Sequence, residues 1–200
     1  MLDTNIYPKI DLNTYQKETN LKDGTKVLLR PMVAEDQDAL YEFFKAVSRE
    51  EARYLRDDVR SRLVVEKWAK NLDYDKTLPI LVLKDDVIIA DATINRRKFG
   101  WKWHLGTVRI FVHKDYRNMG LGRLILQEIS HIAYRLGIEK LVAEIPEVNE
   151  SALITFKKEG FYLEACISNM VKDRENMPLD LVVMMKNIKP PLDESYDYDF

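Results

Sequence analysis

Two glycines, Gly120 and Gly122, sit between two arginines in the run Arg117-Asn118-Met119-Gly120-Leu121-Gly122-Arg123. Residues 107–112 before them read as an apolar strand, and residues 120–137 after them as an amphipathic helix. A helix N-terminus offers four backbone N–H groups without partners and the positive end of the helix dipole. Such a strand-to-helix turn is an anion site that suits a pyrophosphate. Glycine keeps side chains away from those donors and accepts the dihedrals the turn needs. Arg117 and Arg123 can add charge-assisted hydrogen bonds. Two other nucleotide turns are excluded: a P-loop requires Gly-Lys-Ser/Thr where Arg123-Leu124 stands, and a dinucleotide fingerprint requires a third glycine where Ile125 stands.

The elements around this turn follow from periodicity. Lys22-Asp23-Gly24-Thr25 is a turn signal, and a strand over 26–30 follows it and ends at Pro31. Leu40, Phe43, Phe44 and Val47 fall at helical spacing behind the acids Glu35, Asp36 and Asp38, and Leu63, Val64, Trp68 and Leu72 mark a second helix. Between them, residues 49–62 are crowded with both charge signs and read as a loop or short helix on a solvated face. Strands over 79–83 and 87–94 form a hairpin around Lys84-Asp85-Asp86, and residues 99–104 turn the chain into the strand that precedes the glycines. Leu124, Ile125, Ile129, Ile132, Ala133 and Leu136 line one side of the long helix, which Gly137 stops. A strand over 140–145, a helix over 150–159 ended by Gly160, and strands near 161–168 and 179–185 complete the order. Residues 1–21 read as an N-terminal arm or short added element, 22–188 as one domain, and 189–200 as a loosely held acidic tail.

With 200 residues, 46% hydrophobic and 32% charged, the chain can bury one core. A net charge of -2 gives no bulk pull toward nucleic acid or an anionic membrane, so any such affinity has to come from a local patch. Neither partner is expected. One cysteine, Cys166, excludes an internal disulfide, and the histidines His104, His113 and His131 form no metal-ligand pattern. The polar first twenty residues do not read as a signal peptide, and no run is long enough for a membrane span; a reducing cytoplasm is expected.

The pattern Arg117-x-x-Gly120-x-Gly122 resembles the acyl-CoA pyrophosphate motif of the GNAT N-acetyltransferases. The resemblance runs from about Gly24 to Lys186, including the strand order, the approach through 112–116 and a second signature at Asn149-Glu150-Ser151-Ala152 and Gly160-Phe161. Asp23-Gly24, Arg30-Pro31, Phe43-Phe44, Ser48 and Tyr54-Leu55-Arg56 more loosely resemble the acetyltransferase domain of bacterial protein-lysine acetyltransferases. The resemblance implies an α/β (α+β) fold, a mixed but mostly antiparallel sheet of about seven strands flanked by helices. It implies acetyl-CoA as co-substrate, no metal, and an amine substrate, either a protein lysine or a small molecule; a homodimer is left open. Cofactor contacts then fall on Ile110, Phe111 and Val112, on residues Arg117, Asn118, Met119, Gly120, Leu121, Gly122 and Arg123, and on Asn149 and Phe156.

In such enzymes main-chain groups of the strand before the turn polarise the thioester carbonyl, and the amine attacks directly. Cys166 is then a small core residue. An amine of pKa ~10.4 is neutral in only about one part in a thousand near pH 7, a deficit of roughly 4 kcal/mol, so a base is needed. The glutamate that relatives carry at the start of that strand is replaced by Gly106-Thr107. Asp91, His104, Glu144 and Glu147 are the candidate bases, and His104 also reads as an exposed turn residue beside Trp101 and Trp103. Asp91 is unusual within an apolar strand and would need a partner or act with a raised pKa. A leaving-group tyrosine is replaced by Phe156, so the coenzyme A thiolate leaves as such or Tyr162 substitutes. Loss of both groups also suits an acyl-CoA-binding sensor without turnover.

Overall fold

The computed structural model describes residues 10–48, 51, 58–173 and 175–188. Most of the charged segment 49–62 and all of the tail 189–200 lie outside them. Eight strands form one sheet: β1 (Lys17–Asn20), β2 (Lys26–Pro31), β3 (Thr77–Lys84), β4 (Val87–Arg96), β5 (Leu105–Val112), β6 (Lys140–Pro146), β7 (Tyr162–Lys172) and β8 (Pro178–Asn187). Their order is β1-β2-β3-β4-β5-β6-β8-β7, and every neighbouring pair is antiparallel except β5 and β6. The four α-helices described are α1 (Gln37–Lys45), α2 (Arg62–Lys70), α3 (Leu121–Arg135) and α4 (Glu150–Lys158).

The mixed α/β sheet thus matches the expected class, with one strand beyond about seven coming from the arm. Lys17–Asn20 pairs with β2. Tyr15 and Lys17 also hydrogen-bond the two oxygens of Glu128, a buried carboxylate on α3. Both partners of that acid come from residues 10–20, so this stretch is stitched to the sheet and to the long helix.

Alternation along β4 and β5 splits the core into two layers. Ala90, Ala92 and Ile94 with Val108, Ile110 and Val112 pack toward α3 and α4, beside Leu121, Ile125, Ile129 and Ile132. On the opposite face, Leu81, Leu83, Ile88 and Phe111 pack toward α1 and α2, beside Leu40, Phe44, Val65 and Trp68. β3 is buried on both faces, which accounts for its unbroken apolar run. The pairing of β3 with β4 shifts between Val82 and Leu83, so Ile89 is an extra residue that resets the alternation before Asp91. As a result Asp91, Thr93 and Asn95 all face the α1/α2 side, directly across from Phe111, Arg109 and Thr107.

β7 is an edge strand, exposed along nearly its whole length. Cys166, expected in the core, is exposed there because no layer covers that edge. Tyr162, on the same strand, is 41% exposed and lies outside the cavity described below.

Candidate active site

β5 and β6 pair only through Leu105↔Lys140, Gly106↔Leu141 and Thr107↔Val142. Beyond those residues both strands continue, to Val112 and Pro146, without bonding to each other. A wedge therefore opens in the middle of the sheet. Main-chain directions along β5 follow from the two-residue period. His113 N–H donates to the Ile89 carbonyl at 2.9 Å, so its main chain faces β4. Phe111 faces β4 likewise, and Ile110 and Val112 face the wedge. Of the three residues expected to hold the thioester arm by main-chain groups, Ile110 has both its groups, and Val112 its N–H, without a partner among the described residues. Phe111 spends its own on the ladder and contributes its ring.

The chain passes from β5 through a 3-10 turn (Lys114–Tyr116) into the glycine turn. Asn118 (φ 62°) and Gly120 (φ 84°) both adopt the left-handed conformation, and Gly120 caps α3 without any side-chain hydrogen bond. The first helical bond runs from Leu124 N–H to the Gly120 carbonyl at 3.0 Å. The N–H groups of Gly120, Leu121, Gly122 and Arg123 meet no acceptor among the described residues, as an anion site requires. A Cβ on Gly120 would meet only Lys22 side-chain carbons, at 3.6–3.7 Å, whereas one on Gly122 would lie 3.4 Å from Thr155 on α4. Gly120 thus keeps the turn open, and Gly122 lets α3 and α4 approach.

The flanking arginines are not turned to the amides. Arg117 donates through Nε to the Val112 carbonyl at 3.1 Å, pairs with Glu51 and lies over the Phe111 ring. Arg123 Nε sits 2.6 Å from Glu159 Oε1 in an ion pair outside hydrogen-bond geometry. Nearby acids have captured both guanidinium groups that were expected as phosphate donors. The cation that does run beside the turn is Lys22, from the β1–β2 hairpin, and it pairs with no acid among the described residues. No local spacing announces it, because 98 residues (120 − 22) separate it from Gly120.

Below the turn, a cavity of about 840 Å³ spans the wedge and the α1/α2 face of the sheet. Asp91, Glu144, Ile110, Phe111, Asn149 and Phe156 all reach its wall, joined by Thr93 and Arg109. His104 and Glu147 do not. His104 stands at the β4–β5 tip, edge-on to Trp103, and its carbonyl holds Glu139 and Lys140. Glu147 Oε1 instead accepts the Asp180 N–H at 3.2 Å and fastens the start of β8. Asn149 caps α4, its Oδ1 accepting from Ala152 N–H at 3.3 Å. Phe156 packs edge-on against Phe161 and brings no hydroxyl to the cavity.

Asp91 is the most perturbed acid of the site. Burial pushes its carboxyl from 3.8 up to about 7, against the opposing pull of the Arg109 charge and a Thr93 hydrogen bond. Glu144, on β6, faces the same side from across the wedge.

The family model described as "Acetyltransferase (GNAT) family" matches residues 37–161, more than half of the chain. The chain belongs to that family. Its members transfer acetyl groups from acetyl-CoA, and the unpartnered amides beside Gly120 fit the pyrophosphate of that molecule. Among solved structures, an acetyltransferase of the GNAT family from Streptococcus pneumoniae is similar with a TM-score of 0.71 and 25% identity, covering 81% of this chain and 99% of that one. The GNAT domain of S. lividans PAT aligns with a TM-score of 0.72 and 18% identity, covering 86% and 96%. The yncA protein of Salmonella typhimurium, a putative acetyltransferase solved with its cofactor acetyl-CoA, aligns at 0.70 and 20% identity, covering 83% and 96%. The last two likenesses speak for the fold alone. No curated protein gives a significant match by sequence. Among the described residues, no helix is long and apolar enough to cross a membrane, and no acidic, histidine or cysteine cluster is arranged to hold a metal.

Proposed function

We propose that this GNAT acetyltransferase acetylates a primary amine by direct attack in a ternary complex, with Asp91 as the general base. Acetyl-CoA supplies the acetyl group already activated as a thioester. The amides of residues 120–123 receive its diphosphate, and Lys22 adds a positive charge beside them. Main-chain groups of Ile110 and Val112 face the wedge, and an N–H there can donate to the thioester carbonyl oxygen. The acceptor approaches from the α1/α2 face, where the Asp91 carboxylate takes a proton from its ammonium group. A carboxyl with a pKa of about 7 is half ionised at neutral pH and is matched to that task. Phe156 offers no acid, so the thiolate leaves without help from that position.

The observation that carries this reading is the wedge itself: a parallel pair that stops after Thr107 and Val142, with Asp91 on the wall of the cavity that spans it. The acceptor is a protein lysine or a small amine. The single exposed thiol is compatible with a reducing cytoplasm. The test is release of coenzyme A by the purified chain across amines ranging from amino acids and polyamines to lysine peptides. Release with any of them supports turnover. Tight acetyl-CoA binding without release from the whole range supports a sensor instead, the reading that Phe156 favours.

A further inference from the structure

The β4–β5 connection carries the sequence Arg96-Arg97-Lys98-Phe99-Gly100-Trp101-Lys102-Trp103-His104. Phe99 is 84% exposed, Trp101 83% and Trp103 41%, and these three rings stand at alternate positions of one hairpin tip. Gly100, at φ 87°, makes the turn that turns them outward, and Trp103 N–H closes it onto the Gly100 carbonyl at 3.1 Å. Exposed aromatic clusters on a soluble domain usually mark a binding surface. The hairpin tip that carries these rings holds charges of one sign. From Ala92 to Lys114 the sequence holds no carboxylate. At its base Asp75 pairs with Arg96 and Lys98, and Asp73 lies within electrostatic reach of the same two cations. Arg97 and Lys102 pair with no acid among the described residues, and Lys102 lies over the Trp101 ring at 5.3 Å. The active-site wedge uses none of these side chains.

We propose that this tip docks the enzyme on an anionic lipid surface, with Phe99 and Trp101 entering the headgroup layer and Arg97 and Lys102 on its phosphates. Tryptophan rings settle at that depth because one end is apolar and the other can hydrogen-bond, and basic residues beside them add attraction to acidic lipids. A single-stranded nucleic acid fits less well, since stacking proteins offer rings along a positive groove, and here the rings stand on a convex tip. A second copy of the chain fits less well still, because two such tips would bring like charges together. With the whole chain at a net charge of -2, attachment rests on this patch and is reversible.

The test is co-sedimentation of the full chain with vesicles of phosphatidylcholine and phosphatidylglycerol, against vesicles of phosphatidylcholine alone. A blue shift of tryptophan emission reports insertion. The wild type binds the anionic vesicles and is released by salt. Arg97→Gln with Lys102→Gln weakens binding by roughly 10–30-fold, each cation near a bilayer contributing roughly fivefold. Phe99→Ser with Trp101→Ser lowers co-sedimentation with the anionic vesicles, while coenzyme A release in solution and the melting temperature stay unchanged. Failure to bind anionic vesicles overturns the proposal, as does binding that both double variants leave intact. Capture of single-stranded RNA by the wild type, with vesicles ignored, overturns it in favour of a nucleic-acid surface.

Discussion

Replacing Asp91 by asparagine separates a catalytic carboxylate from a merely buried one. The carboxyl is displaced from 3.8 in the unfolded chain to about 7 in the fold by loss of solvent, a difference on the order of 4 kcal/mol. The sign follows from proton counting. Between those two values the folded chain holds a proton that the unfolded chain has released, so stability falls as pH rises through that window. Below about 3.8 and above about 7 the contribution is flat. Asparagine keeps the shape and cannot ionise. Urea unfolding of both proteins at about pH 4 and about pH 8 should show the variant gaining on the wild type by up to about 4 kcal/mol at the higher pH. Taking the difference cancels every other titrating group. In the same samples kcat/KM of the wild type should rise through about pH 7 as the carboxylate forms. That of the variant should be lower by at least roughly tenfold, the low side of what a placed base contributes. A stability difference that does not change with pH would show that Arg109 and Thr93 hold the group ionised. An unchanged rate would remove Asp91 as the base and leave Glu144 next.

Gly120→Glu should abolish acetyl-CoA binding in calorimetry, because its carboxylate would occupy the anion position; Gly120→Ala carries the same left-handed strain of about 1–2 kcal/mol and serves as the control. His104→Ala should change coenzyme A release by less than about twofold, since the ring stands at the β4–β5 tip and not on the cavity wall; a tenfold loss would place the base there instead. Arg30→Leu should cost about 3–5 kcal/mol in chemical denaturation, because it strips both 2.6 Å hydrogen bonds from the buried carboxylate of Asp36. A smaller loss in Arg30→Leu/Asp36→Leu would confirm that the cost is the stranded charge.

What the sequence determined by itself are the elements with one buried side and the turn that joins two of them. The 3.6-residue stripe of α3, the apolar run of β3 and the Asp85-Asp86 hairpin were legible because burial on one side, or on both, writes itself into residue order. β7 runs four residues past the end its sequence suggests, since an edge strand exposed on both faces has no such period, and two shifts in register blur its pairing with β8. Gly120 could be recognised because a left-handed dihedral demands glycine locally, and Asp91 because a carboxylate interrupts an apolar strand. Tertiary structure alone decided what these residues meet. Lys22 reaches the glycine turn from a hairpin far away in sequence, and Glu51 and Glu159 draw off the two arginines that local spacing assigned to phosphate. The wedge is likewise invisible along the chain, because it depends on where two parallel strands stop bonding, and their pairing partners are set by the sheet as a whole. Spacing along a chain fixes which way a side chain points within its own element; which charge lies opposite is fixed only when the elements pack.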